Sequence, residues 1–502
     1  MDVGDTLFQK ATTAVVGLTA ITIVYSIFMA IYNLYFHPLA KFPGPRLNAA
    51  WDWPYFKALL AGTHDHGLKD LHAQYGEVVR YRPNRLSFTS SGAWKDIYGS
   101  GAGKKQLQKD PDFYTITGDE PTSIIWSSDA DHSRMRKLLA HAFSDAALRQ
   151  QETILTHYFE LMVTGLKKKA EDPTVKSVDM TRWYNFVTFD IIGDLAFGES
   201  FGALESGEYH IWMQNLFQGV KSARILKTAQ FYKPLMSILQ GLIKLSPAIT
   251  KAREEHMKFS EVKTEKRLAA KTDRQDFMTY ILRHNDERGM THSEIISTAE
   301  ILIIGGSETT STLLTGVTYY LLKNPEIYAK VKKEVRDAFQ SGDDLTLQST
   351  ARLPYLQAVL EEGLRMYPPV PLGSARLTPP EGCLINGNFI PGNASVSIHH
   401  LSTYYSEKNF FEPEKFVPER WLPDVPAAYE KDDRACFNPF SAGPRGCIGK
   451  NLAWNEMRSI LARMLFHFDM ELCDDSQEWN KHLIFMMWEK PELNIKLSLR
   501  KS

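Results

Sequence analysis

The sequence predicts a mainly α-helical protein with small β-sheets, preceded by a single N-terminal transmembrane helix. Three observations support this class. An uncharged apolar stretch lies near the N-terminus, helical patterns dominate the rest of the chain, and short β-prone runs occur beside turn signals. No repeat, Gly/Ser linker or low-complexity tract divides the chain after the apolar stretch, which favours one large domain. We therefore predict an anchor over residues 1–40 and one domain over residues 41–502.

The N-terminal stretch has the properties of a membrane anchor. Between Lys10 and Lys41 there is no Asp, Glu, Lys or Arg, and residues 11–36 are mostly apolar. About 20 such residues in a helix cross the hydrocarbon layer, whereas the apolar part of a cleaved signal peptide, the alternative, usually has about 7–15. Because Lys41 and Arg46 follow the stretch, the positive-inside rule predicts that the remaining chain faces the cytosol.

The charge balance and the cysteine content argue against several classes of partner and of structural site. The 502 residues carry 58 Lys plus Arg against 59 Asp plus Glu, so no overall field attracts nucleic acid, which is not an expected partner. The four cysteines contain no C-x-x-C pair, which argues against a zinc module. So few cysteines in so long a chain also argue against a disulfide scaffold.

Periodicity and turn signals place the main elements of the second half. Asn386-Gly387 and Pro391-Gly392 predict a small hairpin sheet over residues 382–398. The helical predictions cover residues 294–322, 326–339, 354–366 and 452–468, and the last strand is predicted over residues 493–499.

The loop from Phe440 to Gly449 carries the strongest chemical signal, because it holds Cys447 among glycines and an apolar helix follows it. Glycines permit tight turns and leave backbone N–H groups free to point at sulfur. The start of the helix should lower the thiol pKa, and Phe440 can cover the sulfur. A Gly-rich loop with an incidental cysteine is the alternative for this segment alone.

This loop resembles the F-x-x-G-x-R-x-C-x-G signature of the cytochrome P450 superfamily. The match includes every fixed position, which are Phe440, Gly443, Arg445, Cys447 and Gly449. The resemblance implies the cytochrome P450 fold and a haem b cofactor held by this loop. It further implies that Cys447 is the metal ligand, on the haem iron, and that Arg445 contacts a haem propionate.

Glu362 and Arg365 lie one helical turn apart, a spacing that by itself usually marks a surface salt bridge. Downstream, Pro418-Glu419-Arg420-Trp421 is similar to the family's P-E-R-F element, whose Arg joins that pair. The resemblance therefore implies a buried network of Glu362, Arg365 and Arg420 that holds the fold behind the haem.

The predicted long helix contains Gly305-Gly306-Ser307-Glu308-Thr309-Thr310. Two glycines inside a helix cost about 1 kcal/mol each relative to Ala, so they indicate a local opening, a close approach, or a packing notch against another helix. The segment looks like the family's (A/G)-G-x-(D/E)-T-T motif above the haem. That likeness implies catalytic roles in proton delivery for Glu308 and Thr309.

A set of basic residues resembles the family's propionate-binding positions. His132 and Arg136 match a (W/H)-x-x-x-R element, and Arg376 follows the Glu362 helix at the expected distance. Arginine suits buried carboxylates because its donors are forked, although any one of these positions alone would favour a solvated surface residue.

The resemblance implies a monooxygenase that uses O2, with electrons passed from NADPH by the NADPH-cytochrome P450 reductase of the endoplasmic reticulum membrane. The anchor end, Tyr35-Phe36-His37-Pro38-Leu39, and the Cys447 loop look most like members from filamentous fungi. An apolar small molecule, such as a terpenoid, polyketide or alkaloid, is the expected substrate. A haem-thiolate isomerase or dehydratase, a haem-based binding or sensor protein, and a membrane scaffold without haem remain alternatives.

Candidate positions for the substrate and the reductase follow from the same resemblance. Arg134 and Lys137 share a helix with Arg136 and are candidate docking charges for the reductase. The candidate substrate contacts are mostly apolar: Ile211, Trp212, Met213, Leu216, Phe217, Ile303, Val370, Leu372 and residues 485–488.

Overall fold

A computed structural model describes residues 3–99, 106–115, 122–244, 246–270, 274–283 and 289–500. Up to residue 283 the helices are α1 (Val3–Tyr35), α2 (Arg46–Ala50), α3 (Trp53–Ala61), α4 (His64–Tyr75), α5 (Ser91–Tyr98), α6 (Pro111–Tyr114), α7 (Asp129–Ala140), α8 (Asp145–Glu171), α9 (Met180–Phe197), α10 (Ala203–Ser206), α11 (Ile211–Phe231), α12 (Lys233–Lys244), α13 (Pro247–Ala269) and α14 (Phe277–Arg283). The later helices are α15 (His292–Lys323), α16 (Pro325–Ala338), α17 (Leu347–Thr350), α18 (Pro354–Met366), α19 (His400–Tyr404) and α20 (Lys450–His467).

The strands are short. They are β1 (Val78–Arg82), β2 (Arg85–Phe88), β3 (Gln108–Lys109), β4 (Val178–Asp179), β5 (Arg376–Leu377), β6 (Cys383–Ile385), β7 (Asn388–Ile390), β8 (Ser395–Ile398), β9 (Phe468–Leu472), β10 (Ile484–Phe485), β11 (Met487–Trp488) and β12 (Asn494–Leu499). The predicted class, mainly α with small β-sheets, is confirmed.

Helix α1 carries an apolar stretch, Phe8–Tyr35, of 28 residues with a mean hydropathy of 2.3, and almost none of it is buried. A helix with apolar side chains exposed on all sides is suited to lipid and not to water. It is long and apolar enough to cross a membrane. Its C-terminal end is tied to the body, because Asn33 Nδ2 donates to the Ala50 carbonyl and Arg80 Nη1 donates to the Asn33 carbonyl, at 2.9 Å each.

The core of the body is built on the pair α9 and α15, which form the most extensive helix contact. Every residue of α9 except Arg182 is buried. A Cβ at Gly306 of α15 would lie 2.6 Å from Ile192 Cδ1, so glycine lets the two helices approach closely. Helices α8, α18 and α20 complete the same apolar cluster, and α15 is thereby held rigidly through the centre of the molecule.

The helical predictions agree with the structure to within two residues at each end. Helix α15 begins at His292, two residues earlier than predicted, because Thr291 and Glu294 form a capping box at its start. The predicted last strand is β12, which pairs with β9 and β4 in a three-stranded sheet.

The prediction of one hairpin sheet over residues 382–398 is only partly correct. Strands β6 and β7 form the hairpin, with left-handed Asn386 and Gly387 in its turn. Strand β8 leaves it and joins a five-stranded sheet of order β1-β2-β8-β5-β3, where it runs parallel to β2. All four residues of β8 are buried, a pattern that requires partners on both sides rather than a place in an exposed hairpin.

Candidate active site

The Cys447 loop is closed by a hydrogen bond of 2.8 Å from the Cys447 N–H to the Phe440 carbonyl. Gly443 has a φ of 73°, and a Cβ there would lie 1.9 Å from the Tyr98 carbonyl oxygen. Only glycine fits this position, because both the conformation and the close approach exclude a side chain. Gly443 therefore allows the loop to pack against Tyr98, and the loop places Cys447 just before α20, with Gly449 as the residue that precedes the helix.

The Cys447 residue is accessible although protein atoms lie close around its thiol. The residue is exposed, yet burial raises the pKa of its thiol; the Gly449 N–H and the charges of Arg136 and Lys450 lower that pKa and do not outweigh burial. The start of the helix lowers the thiol pKa through the Gly449 N–H, as expected, but burial makes the net shift upward. The Cys447 thiol is therefore accessible and at the same time surrounded by nearby protein atoms.

The middle of α15 also opens onto unfilled space. A Cβ at Gly305 would meet nothing within 4 Å, and the residue is exposed although its neighbours along the helix are largely buried. One turn later, Thr309 Oγ1 donates to the Gly305 carbonyl at 2.6 Å. The two glycines therefore serve different purposes. Gly306 allows α15 to pack closely against α9, and Gly305 leaves open space on one helix face beside Thr309.

Glu308, the neighbour of Thr309 in α15, is buried and paired. Its carboxylate forms a buried ion pair with Lys490, whose Nζ also donates to Thr312 Oγ1 at 2.6 Å. Burial lowers the pKa of Lys490, and the Glu308 charge opposes that shift. Glu308 Oε2 is buried without a hydrogen-bond partner in the described parts of the chain. Lys490 was not predicted, because the pair joins positions 182 residues apart and Lys490 belongs to no motif.

The predicted propionate residue Arg376 is buried, and its Nε has no hydrogen-bond partner within the described ranges. Its Nη1 donates to Tyr114 Oη at 2.7 Å. Lys109, which sequence reasoning missed, lies close by. Burial, together with the charges of Arg445 and Arg376, lowers its pKa to about 7, and its Nζ donates to the Ser127 carbonyl at 3.1 Å.

The other predicted propionate residues surround the same region. Arg445 binds Asp129 Oδ1 through Nη2 at 2.7 Å, and Arg136 Nη1 donates to the Gly446 carbonyl at 2.7 Å. His132 is buried, and its pKa falls to about 4 through burial and the Arg445 and Arg136 charges, so the imidazole is neutral at pH 7.

This donor set suits an anionic cofactor. Several cations gather at one place, and half-exposed Asp129 is the acid that pairs with one of them. The buried Arg376 Nε still lacks an acceptor. Two carboxylates next to a thiolate ligand would satisfy these groups, so the residues present fit haem.

The predicted network behind the site is confirmed as a buried cluster. Arg365 binds both oxygens of Glu362, at 2.8 and 2.9 Å, and Arg420 Nε donates to Glu362 Oε1 at 3.2 Å, with all three side chains fully buried. Two further members were not predicted. Trp421 Nε1 donates to Glu362 Oε2 at 2.8 Å, and Asp432 forms an ion pair with Arg420. The network therefore contains two arginines and two carboxylates, and its charges balance.

Arg134, a predicted docking charge, is already engaged. It pairs with Asp131 at 3.0 Å and with Glu294 at 2.7 Å, next to the cap of α15, whereas Lys137 is exposed. Arg134 therefore has a structural role in this protein, and only Lys137 of the two is left as an exposed cation.

The predicted substrate contacts of α11 have different surroundings in the structure. Trp212 is buried in the core between α11 and α13, where its Nε1 donates to Ser260 Oγ at 3.0 Å, and Ile211 is exposed. The side chains of Leu216 and Phe217 lie outside the described residues. Three turns further along the same face, Ala223, Arg224 and Lys227 line a cavity together with the predicted Leu372 and with Met486 of the predicted 485–488 segment. Ile303 is fully buried and Val370 is partly exposed, and neither is among the residues lining this cavity.

Comparison with known proteins agrees with this geometry. The family model described as Cytochrome P450 matches residues 45–497. The chain is 41% identical to cytochrome P450 monooxygenase astA of Talaromyces wortmannii over 493 residues, which are 98% of each chain. It is 42% identical to cytochrome P450 monooxygenase FUM2 of Gibberella moniliformis over 471 residues, 93% of this chain and 99% of FUM2. It is also 42% identical to cytochrome P450 monooxygenase aclL of Aspergillus oryzae over 489 residues, 96% of this chain and 98% of aclL. The chain therefore belongs to the cytochrome P450 family and is a monooxygenase of that family.

Proposed function

We propose that this monooxygenase inserts one oxygen atom of O2 into a largely apolar small molecule of fungal secondary metabolism. In this proposal residues 41–502 form the haem-binding domain and Cys447 is the iron ligand. The observation that carries it is the accessible Cys447 thiol, in a loop that the Cys447 N–H closes by a hydrogen bond to the Phe440 carbonyl. The fungal relatives named above support the substrate class.

Different residues around the site would bind different parts of the cofactor. Cys447 would bind the iron, with Phe440, Gly443 and Gly449 shaping its loop. The propionates would be held by the cationic group, which comprises Arg376, Arg445, Arg136 and Lys109, with neutral His132 as a donor. When bound, haem with a thiolate ligand supplies electron density that favours cleavage of the O–O bond.

In this proposal Thr309 and Glu308 deliver protons to the site. The Thr309 hydroxyl lies on the open face of α15 and can hold a water molecule there. Glu308 is bound to Lys490, so its carboxyl must leave that pair or act through water to pass a proton to Thr309. Lys490 holds the resting position of Glu308 and keeps its charge paired inside the protein.

In our proposal residues 1–40 anchor the protein in the endoplasmic reticulum membrane, with the domain in the cytosol and an NADPH-dependent reductase as electron donor. Helix α1 supports the anchor by its length and composition. Helix α12 adds a second apolar surface, since Leu235, Ile238 and Leu242 are all exposed. Both features suit a protein that rests on a bilayer beside a membrane-bound reductase.

The test is to express the protein in yeast with and without a fungal NADPH-dependent reductase and to compare the metabolites formed from fungal extracts. We expect a product that requires the protein, the reductase and NADPH together. A product that forms at the same rate without the reductase would refute the electron-transfer part and favour the isomerase alternative.

Replacing Thr309 with Ala is expected to keep the haem spectrum but to raise hydrogen peroxide formed per NADPH several-fold, because the hydroxyl that positions the proton donor is lost. Peroxide and product per NADPH are measured with purified protein and reductase. Thr309→Ser keeps the hydroxyl and serves as the control. Equal product yield per NADPH in Thr309→Ala and the parent would remove Thr309 from the proton path.

Haem retention should depend on pH through Lys109. Its pKa of about 7 in the chain alone means that the ammonium is charged below pH 7 and neutral above it. Binding of an anionic propionate favours the charged form, so haem affinity should be highest below pH 7 and fall as the pH rises to 8. The measurement is haem transfer to excess apomyoglobin at pH 6 and pH 8. We expect Lys109→Met to lose this difference and Lys109→Arg to stay tight at both pH values; an unchanged pH dependence in Lys109→Met would contradict the role.

A further inference from the structure

A small cavity lies between α3, α4, α11 and the turn that joins β10 to β11. Tyr55, Leu59, Ala223, Leu372 and Met486 are among the residues that line it. Its volume is about 70 Å³, whereas pockets for whole drug-sized molecules measure roughly 300–1,000 Å³. The cavity is therefore large enough for one end of a ligand only. Leu372 lies four residues before Arg376, so this end would sit beside the proposed haem site.

Arg224 gives the cavity its chemistry. Its guanidinium lies 3.8 Å from the centre of the Phe485 ring, which fixes its plane. Its Nε and Nη1 are buried and have no hydrogen-bond partner in the described parts of the chain. Buried donors without an acceptor are rare in folded proteins, and a charged one is especially costly, so these atoms call for an acceptor that enters from outside.

The charges around the cavity favour an anion as that acceptor. Lys227 lies one helical turn from Arg224 and also lines the wall. Asp65 is the one acid among the described lining residues, and its carboxylate already binds His399 Nε2 at 2.7 Å. Glu489 is paired with Lys221 in an ion pair outside the wall. His64, which also lines the cavity, has a pKa lowered to about 4 by burial and is neutral at pH 7. Among the lining residues that the structure describes, no carboxylate pairs with Arg224, whose charge therefore favours an anion.

We infer that Arg224 binds a carboxylate of the substrate, so that the substrate is an amphipathic acid with its anionic end in this cavity and its apolar body directed toward the haem site. The inference rests on the proposed function and specifies its substrate class. The charge of Arg224 distinguishes a carboxylate from a neutral carbonyl, because only the anion gains the full charge-assisted hydrogen bond. Arg224 acts in recognition, and the reacting carbon lies elsewhere on the substrate.

The test compares two probes of equal length, dodecanoate and dodecanamide, on the full-length haem-loaded protein. Equilibrium dialysis gives each dissociation constant, and the haem difference spectrum reports whether the bound probe approaches the haem. We expect the parent protein to bind the acid about 10-fold more tightly than the amide, as is typical of a charge-assisted pair away from water. Arg224→Met should reduce this preference to near unity.

Two controls complete the design. Lys251→Met removes an exposed charge of the neighbouring helix α13 and should keep the preference. Phe485→Leu removes the stacking partner and should weaken the preference while Arg224 remains. Equal affinity of the parent for acid and amide across chain lengths from octanoate to hexadecanoate, or an unchanged preference in Arg224→Met, would overturn the inference. Failure of the proposed function would appear separately, as loss of the thiolate-type absorption of the reduced carbonyl complex in a protein that still binds dodecanoate.

Discussion

Replacement of Glu362 with Gln should yield protein that contains little haem and unfolds at a much lower temperature. Arg365 and Arg420 are fully buried and both bind the Glu362 carboxylate, and two of its other bonds come from Trp421 and the Val417 N–H. Removing one partner of a buried ion pair costs about 3–5 kcal/mol, and a typical folded domain has only about 5–15 kcal/mol of stability in total. The haem-to-protein ratio and the thermal midpoint measure this effect.

Glu361→Gln is the matched control for this substitution. Glu361 is the preceding residue of α18, is half-buried, and accepts a hydrogen bond of 2.9 Å from Gln357 Nε2 without any part in the network. It should fold and bind haem like the parent. Normal haem content and an unchanged midpoint in Glu362→Gln would show that the network does not hold the haem-binding fold.

Replacement of Cys447 with Ser should abolish the thiolate-type absorption of the reduced carbonyl complex and all monooxygenase activity. A hydroxyl is far less acidic than a thiol and does not supply the electron density of a thiolate. Circular dichroism should stay unchanged, because the closing bond of the loop runs from the Cys447 backbone and not from its side chain. Cys473→Ser, a half-buried cysteine after β9, is the control and should keep the absorption. Retention of the band in Cys447→Ser would refute the assignment of the iron ligand.

Much of the fold could be predicted because local signals were strong. Helix α18 was predicted with its actual ends, since Pro354 begins it and Tyr367-Pro368-Pro369 follow it. The Glu362, Arg365 and Arg420 cluster was predicted by comparison with a family pattern and not by spacing. Strand β8 was assigned to the wrong sheet, because its partner β2 lies some 300 residues earlier and no local signal identifies a long-range pairing.

The site residues that the prediction missed share one physical property. Lys109, Asp432 and Lys490 each lie outside any motif, and each acts through a contact that only the folded chain creates. Trp212, a predicted substrate contact, and Ala223 share one face of α11, and only Ala223 lines the cavity. Helical periodicity identifies a buried face but does not tell whether that face meets protein or a ligand space.

The origin of the oxygen in the product tests whether this chain inserts an oxygen atom from O2. Cells that express the protein and a reductase are supplied with fungal extract under an atmosphere of 18O2, and the protein-dependent product is analysed by mass spectrometry. We predict that each inserted oxygen atom comes from 18O2. Each such atom raises the product mass by two units relative to growth in ordinary air. A protein-dependent product whose new oxygen comes from water, or which contains no new oxygen, would contradict the assignment of this chain's reaction as a monooxygenation.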